Sequence, residues 1–300
     1  MGKLRVLSLS VIAMFYRQNF LLGAGLILLS ELCFATMGAL VKHLTGTLPV
    51  VEVAFMRGLF GLLLLLPLGW RQAGRQTLVS RVPGLHLLRT ALGVSALYCF
   101  FYALSRLPLA DGMLLKMTSP LFMPLIATLW LAERLRGAVW LAVGIGFLGV
   151  VLVVAPTGQL APAALAGLAG GLFAAGAKVT VRRLARSEPT LRIVFWFSLG
   201  MVVATAMPLL WHWRTPDTGQ WAWLGLMGLF GTLGQLFLTR GYGLAAASRL
   251  APFTYASVVF GAVYGFLFWD ETLDGGFVAG ALLIGLAGGL ALRLRRETAA

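Results

Sequence analysis

Three hundred residues, 59% hydrophobic and 11% charged, at a mean hydropathy of +0.90, exclude an ordinary soluble domain, in which about a quarter of residues are charged. A net charge of +14 would suit a nucleic-acid partner, but no hydrophilic module carries a basic face, and the charges fall in short clusters between apolar runs. The chain reads as an all-α polytopic membrane protein whose solvent is lipid.

In chain order, residues 1–19 come first, where Lys3 and Arg5 precede the apolar run Val6 to Phe15. The run imitates a signal peptide, yet it lacks a small-x-small cleavage site and is too short to span. It is expected to be a dispensable or interfacial leader, with Met14 as a second candidate start. Ten runs of spanning length follow, at about 20 to 43, 50 to 70, 84 to 105, 110 to 131, 137 to 155, 163 to 183, 191 to 211, 220 to 241, 250 to 269 and 275 to 293, since about 20 apolar residues cross a hydrocarbon core. A tail over 294–300 ends the chain. Ten spans put both termini on one side, and that side collects fifteen Lys and Arg residues. Only Lys42, Arg106 and Arg214 fall on the other. Basic residues are retained in the cytoplasm, so both termini are expected there, in an inner membrane. Cys33 and Cys99 lie within apolar runs and do not organise a disulfide framework.

The chain repeats itself. Pro49-Val-Val-Glu52 opens the second span and Pro189-Thr-Leu-Arg192 the seventh, and these spans close on Pro67-Leu-Gly-Trp70 and Pro208-Leu-Leu-Trp211. Tyr102-Ala-Leu104 answers Tyr242-Gly-Leu244, Glu133 answers Glu271, and Gly146 and Gly149 answer Gly285 and Gly288. The repeats are drawn at 20–155 and 160–293. Five is an odd number, so the second repeat is expected upside down relative to the first, an inverted pair able to exchange inward-open and outward-open states of similar energy.

Several of these residues resemble the EamA-type drug/metabolite transporters, over about residues 20 to 293. They are Arg57, Tyr102-Ala-Leu104, Pro120-Leu-Phe, Leu131-Ala-Glu133-Arg, Gly146 and Gly149, then Ala251-Pro252-Phe-Thr-Tyr255 and Asp270-Glu271-Thr. The resemblance implies a ten-helix carrier of two five-helix repeats, nearest in look to the branch with riboflavin and S-adenosylmethionine carriers. One departure is Phe197, which stands where the second-half counterpart of Arg57 would be.

Charged side chains inside spans are costly and therefore functional candidates. Glu31, near the middle of the first span, is expected as a proton-coupling or cation-binding carboxylate. Arg57 and Lys116 are expected as charge partners or substrate clamps. Pro120 and Pro124 remove helical hydrogen bonds and should break the fourth span beside Lys116. Lys178 is a further candidate, although near the inner end of its span snorkelling to the inner surface is the preferred reading. Arg89, Arg192 and Arg240 are expected at the inner interface. Tyr98, Tyr102, Trp196 and Tyr255 are candidate apolar walls. Glycines 225, 228, 231, 234, 261 and 265 read as close-packing positions. His43, His86 and His212 have no ligand spacing, and no phosphate-binding loop is present, so neither a metal site nor a cofactor is expected, nor ATP hydrolysis.

Together these features point to a proton- or gradient-coupled secondary transporter of a small polar or amphipathic metabolite. Its expected partners are that substrate, the bilayer and protons, not nucleic acid, with a homodimer left open. The alternative is a membrane-embedded enzyme acting on a lipid-linked substrate. That would need a compact polar constellation, whereas the intramembrane charges are spread over four spans.

Overall fold

The computed structural model of the protein describes residues 20–73, 79–119, 121–122, 126, 137–154, 161–185, 187–244, 250, 253–273 and 275–298. At 68–73, 137–140, 142–143, 150, 153–154, 182, 288–289 and 291–298 it describes the backbone alone. The leader, Pro120, Pro124, the Glu133 motif and Ala251-Pro252 lie outside the described residues.

Among the described residues the chain has no strand, and ten helices can be bounded: α1 Phe20–Leu44, α2 Val50–Ala73, α3 Pro83–Leu104, α4 Leu109–Lys116, α5 Gly137–Val154, α6 Pro162–Leu184, α7 Thr190–His212, α8 Thr218–Leu244, α9 Ala256–Trp269 and α10 Gly275–Thr298. Ser119, Leu121, Phe122, Ile126, Leu250, Phe253 and Thr254 are helical outside them. Prolines set several of the starts. Pro83 and Pro162 occupy the first turns of α3 and α6, and Pro108 and Pro189 cap α4 and α7, positions where a missing amide hydrogen costs nothing. Among the described residues six helices, α1, α2, α3, α6, α7 and α8, are long and apolar enough to cross a membrane, and α9 and the first half of α10 are shorter apolar helices.

Two spans are interrupted by turns. The fourth was expected over 110 to 131 with a break beside Lys116; α4 closes at Lys116, Met117 and Thr118 form a turn, and Ser119, Leu121, Phe122 and Ile126 are helical again. Beyond it the amides of Met117 and Thr118 bond three residues back, to the carbonyls of Leu114 and Leu115, and the Thr118 hydroxyl donates to the same Leu115 carbonyl. The ninth was expected from 250; Leu250, Phe253 and Thr254 are helical, Tyr255 sits in a turn, and α9 begins at Ala256.

The helix contacts follow the repeat. α1 packs on α8 and α9, and its counterpart α6 packs on α3 and α4. α2 meets α8 as α7 meets α3, while α2–α7, α4–α9 and α5–α10 pair each helix with its own counterpart. Each repeat thus buries its helices mainly against the other, an arrangement with the pairing of a two-fold axis. Small residues permit the close crossings: Gly228 lies against Phe60 and Gly234 against Phe34. The core centres on α1, α2, α3, α7 and α8, with Phe34, Met56, Phe101, Phe197 and Met201 all buried.

On the α5–α10 pair, a Cβ at Gly149 would stand 2.8 Å from the Gly280 carbonyl oxygen, a backbone atom that cannot swing aside. Gly149→Val is therefore expected to destabilise the fold by about 1–3 kcal/mol, seen as a lower unfolding midpoint of the purified protein in detergent. Gly144→Ala, at a position with nothing within 4 Å, should leave the midpoint almost unmoved.

Candidate functional site: a cationic cavity between the repeats

A cavity of about 120 Å³ lies among α1, α2, α3, α4, α6, α7 and α8. Its charged lining is Arg57, Arg89, Lys116 and Lys178, with Gln235 as a neutral polar member. The rest is mostly apolar, including the rings of Phe34, Phe100 and Phe197. Four charged residues far apart in sequence therefore converge inside the bundle.

Lys116 is the last residue of α4, and the helix break beyond it leaves its side chain reaching towards α1. Its Nζ donates to Glu31 Oε2 at 3.0 Å, and it lies 4.5 Å from the centre of the Phe34 ring. Glu31 is only 1% exposed, so this ion pair is its compensation for leaving water. Lys178 Nζ donates to Ser119 Oγ at 2.7 Å and lines the same cavity. It faces inward rather than snorkelling to the surface.

Across the cavity, Arg57 and Arg89 share one aromatic platform. Their guanidinium carbons lie 5.3 and 4.2 Å from the centre of the Phe197 ring, within cation–π range. Arg57 is fully buried, and its Nη2 donates to the Gly231 carbonyl at 3.0 Å. Arg89 Nη2 makes a long bond to Gln235 Oε1 at 3.4 Å. Arg89 was expected at the inner interface, but it is only 5% exposed. Gly93 makes its position possible, because one helical turn on, a side chain there would run into the Arg89 guanidinium and the Phe197 ring. The repeat comparison singled out Phe197 as the unmatched counterpart of Arg57. The structure gives that mismatch a use, since the ring supports Arg57 itself.

The aromatic candidates lie elsewhere. Tyr98 borders a separate hollow with Pro49, Val50, Pro208 and His212. Tyr102 is 39% exposed. Tyr255 donates to the Ile284 carbonyl at 3.1 Å, tying α9 to α10, and Trp196 packs on His86. None of the four lines the main cavity. Phe34, Phe100, Gln235 and Arg89 were missed as lining residues. Gln235 carried a signal as a polar side chain inside an apolar run, and Arg89 as a charge inside the third span that its place near the span's start discounted.

Two further networks tie helix ends. At one end Lys42 pairs with Glu271 at 2.6 Å and donates to the Leu107 carbonyl at 2.8 Å, while Glu271 Oε2 accepts the Leu109 amide at 2.7 Å. Asp270 makes this geometry, closing α9 in the left-handed conformation (φ 52°) that Asp tolerates better than most residues. The chain then turns Glu271 back beside Gly265, where a side chain would collide with its carboxylate. At the other end, buried Glu188 accepts from Ser80 Oγ at 2.8 Å, from the Arg81 amide at 3.1 Å and from Arg192.

The cavity sits inside a many-helix apolar bundle, which defines a polytopic membrane protein with a buried charged site. The chain belongs to the EamA-like transporter family: the family model matches it twice, over residues 21–155 and 161–292. It is 38% identical to the pseudopaline exporter of Pseudomonas aeruginosa over 269 residues, covering 88% of this chain and 94% of that one. It is 28% identical to the riboflavin transporter of Vibrio cholerae, covering 90% and 93%. It is 26% identical to the S-adenosylmethionine uptake transporter of Rickettsia felis, covering 89% and 91%. A solved crystal structure of a protein 22% identical in sequence superposes with a TM-score of 0.65 over 92% of this chain and 99% of its own, and shares the fold.

Two outcomes follow from the geometry. Burial pushes the Glu188 carboxyl up, but hydrogen bonds from Arg192, Ser80 and the Arg81 amide outweigh it and hold the group below its ordinary value of 4.5. A carboxylate depressed in the folded state contributes stability above its unfolded pKa and loses it as pH falls through the folded one. Acid titration of unfolding midpoints from pH 6 downward should therefore show a fall beginning near 4.5 that Glu188→Gln flattens. For the intramembrane pair, Glu31→Ala, Lys116→Ala and the double variant should give a coupling energy of about 1–3 kcal/mol in a double-mutant cycle of unfolding free energies.

Proposed function

We propose that the protein is a secondary transporter that carries a small metabolite by alternating access between two inverted five-helix repeats, of ten spans in all. In this reading it lies in the cytoplasmic membrane with both termini inside, its first repeat at 20–155 and its second at 160–293. The observation that carries the proposal is the charged cavity enclosed by helices of both repeats, with a helix interrupted beside it at Lys116. Carriers bind substrate at such repeat interfaces, beside broken helices. Transporter relatives over nearly the whole chain give independent support.

Lys42, by the distribution of basic residues, belongs to the outer end. The Lys42–Glu271 pair and its bond to the Leu109 amide then act as an outer lock joining α1, α9 and the start of α4. Opening that lock and closing the inner ends would move access from one side to the other. Glu31 is the coupling carboxylate: taking up a proton would release Lys116 for substrate, so the ion and the metabolite address one side chain. Without a phosphate-binding loop in the sequence, the driving force is a gradient.

Relatives named for export and for uptake share this architecture, so flux is to be read in both directions. In proteoliposomes, a radiolabelled metabolite panel should include a member whose flux is accelerated at least severalfold by a pH gradient, and Glu31→Gln should lose the acceleration. A folded protein that moves no panel member under any gradient would sink the proposal. For topology, single cysteines are placed at Ser187 and Thr215 after Cys33 and Cys99 are replaced. An impermeant thiol reagent applied outside intact cells should label the second and spare the first.

A further inference from the structure

The cavity has more positive charge than its own residues neutralise. Arg57, Arg89, Lys116 and Lys178 line it, and Glu31, paired with Lys116, is the single carboxylate engaged with them among the described residues. No carboxylate lies within ion-pair distance of Arg57, Arg89 or Lys178 among the described residues. The arginines are also short of hydrogen-bond acceptors. Arg57 Nε, Arg89 Nε and Arg89 Nη1 are buried without a partner, although both side chains are more than nine-tenths buried. Leaving buried charge uncompensated is costly, and a guanidinium stripped of acceptors costs more than one in water. Cation–π contact with Phe197 offsets only part of this.

Resting on the carrier reading above, we infer that the cavity binds a small metabolite bearing two anionic groups. Arg57 and Arg89 hold one group, Lys116 and Lys178 hold the other, and the body of the molecule lies against Phe34, Phe100 and Phe197. The arginine end has no counter-ion among the described residues. Arg89 keeps Nε and Nη1 unused on a planar guanidinium, the group that suits a carboxylate or phosphate oxygen pair. Arg57, whose Nη1 and Nη2 are held by Met201 Sδ and the Gly231 carbonyl, adds its charge and an unused Nε. At the lysine end, Glu31 already takes part of the charge, so the second anionic group competes with it for Lys116. Carboxylate and phosphate share this chemistry, and the test separates them.

The full-length protein is purified in detergent. Its unfolding midpoint and its binding by calorimetry are measured at fixed ionic strength with glutarate and citrate, with inorganic phosphate and glycerol phosphate, with the cation putrescine, and with the neutral nucleoside thymidine. Multiply charged anions of at least one family should raise the midpoint by several degrees near saturation, with putrescine and thymidine giving none. The better family identifies the anionic group. Arg89→Gln should weaken the best anion at least tenfold, as loss of a charge-assisted bond predicts. Arg89→Lys, which keeps the charge but loses the fork, should fall between the two, and it serves if Arg89→Gln does not fold. Lys178→Gln should also weaken the dianion while weakening a monoanion such as acetate less.

Equal stabilisation by putrescine or thymidine, no response to any anion, or an unchanged anion affinity in folded Arg89→Gln or Arg89→Lys would each overturn the inference. The same probes in proteoliposomes keep the two readings apart. Gradient-driven flux of thymidine or putrescine without flux of anions leaves a carrier and removes the anionic substrate. Anion binding without flux of any probe leaves the site and removes the carrier.

Discussion

A bundle immersed in lipid must satisfy every charge it hides, and in this protein that constraint centres on five side chains. Glu31 and Lys116 satisfy each other across α1 and α4 at 3.0 Å. Lys178 finds Ser119. Arg57 and Arg89 share the ring of Phe197 and keep unused donors. The surrounding structure accommodates these groups: glycines at 93 and 231 beside the guanidiniums, a carbonyl turned to Arg57, and an α4 that ends where Lys116 must reach across. The cost of hidden charge is what makes this cluster the candidate site.

The two ends of the bundle are held differently from its middle. Lys42, Glu271 and the Leu109 amide join three helices in one short-range network, and Glu188 gathers Ser80, Arg81 and Arg192 in another. Lys42, Glu271 and Arg192 are partly exposed, where ion pairs are modest in energy, whereas the Glu188 carboxylate is buried. The middle is dominated by buried apolar contact and by pairings that join the repeats, α1–α8 and its equivalent α3–α6 among them.

Most helices were legible in the sequence because lipid forces long apolar runs, and Pro49 and Pro189 marked the openings of the second and seventh. The fourth and ninth spans carry turns at residues 117–118 and at Tyr255, with helical residues on both sides. The first turn was legible from Pro120 and Pro124; the second was not, because hydropathy does not register a short turn inside an apolar run. Glu31, Arg57, Lys116 and Lys178 were legible as site candidates from the cost of intramembrane charge alone. Arg89 was assigned to the interface because it lies near the start of its span. Its burial depends on Phe197 and Gln235 from α7 and α8, which lie more than a hundred residues away in sequence. The tyrosines attracted attention as amphipathic rings, but their directions around their helices turn them from the cavity, and the walls are phenylalanines indistinguishable in sequence from lipid-facing ones.

Composition, hydropathy and internal repetition thus determined the class of solvent, the number of apolar runs and the two-fold plan, because each is written in residues near one another in the chain. Which charges meet was decided only by the tertiary structure. Glu31 and Lys116 come together because α4 ends where it does and packs beside α1, and Arg57 meets Arg89 because helices of opposite repeats interleave around Phe197. The surplus of positive charge in one cavity is a property of that interleaving, since no stretch of the sequence contains it.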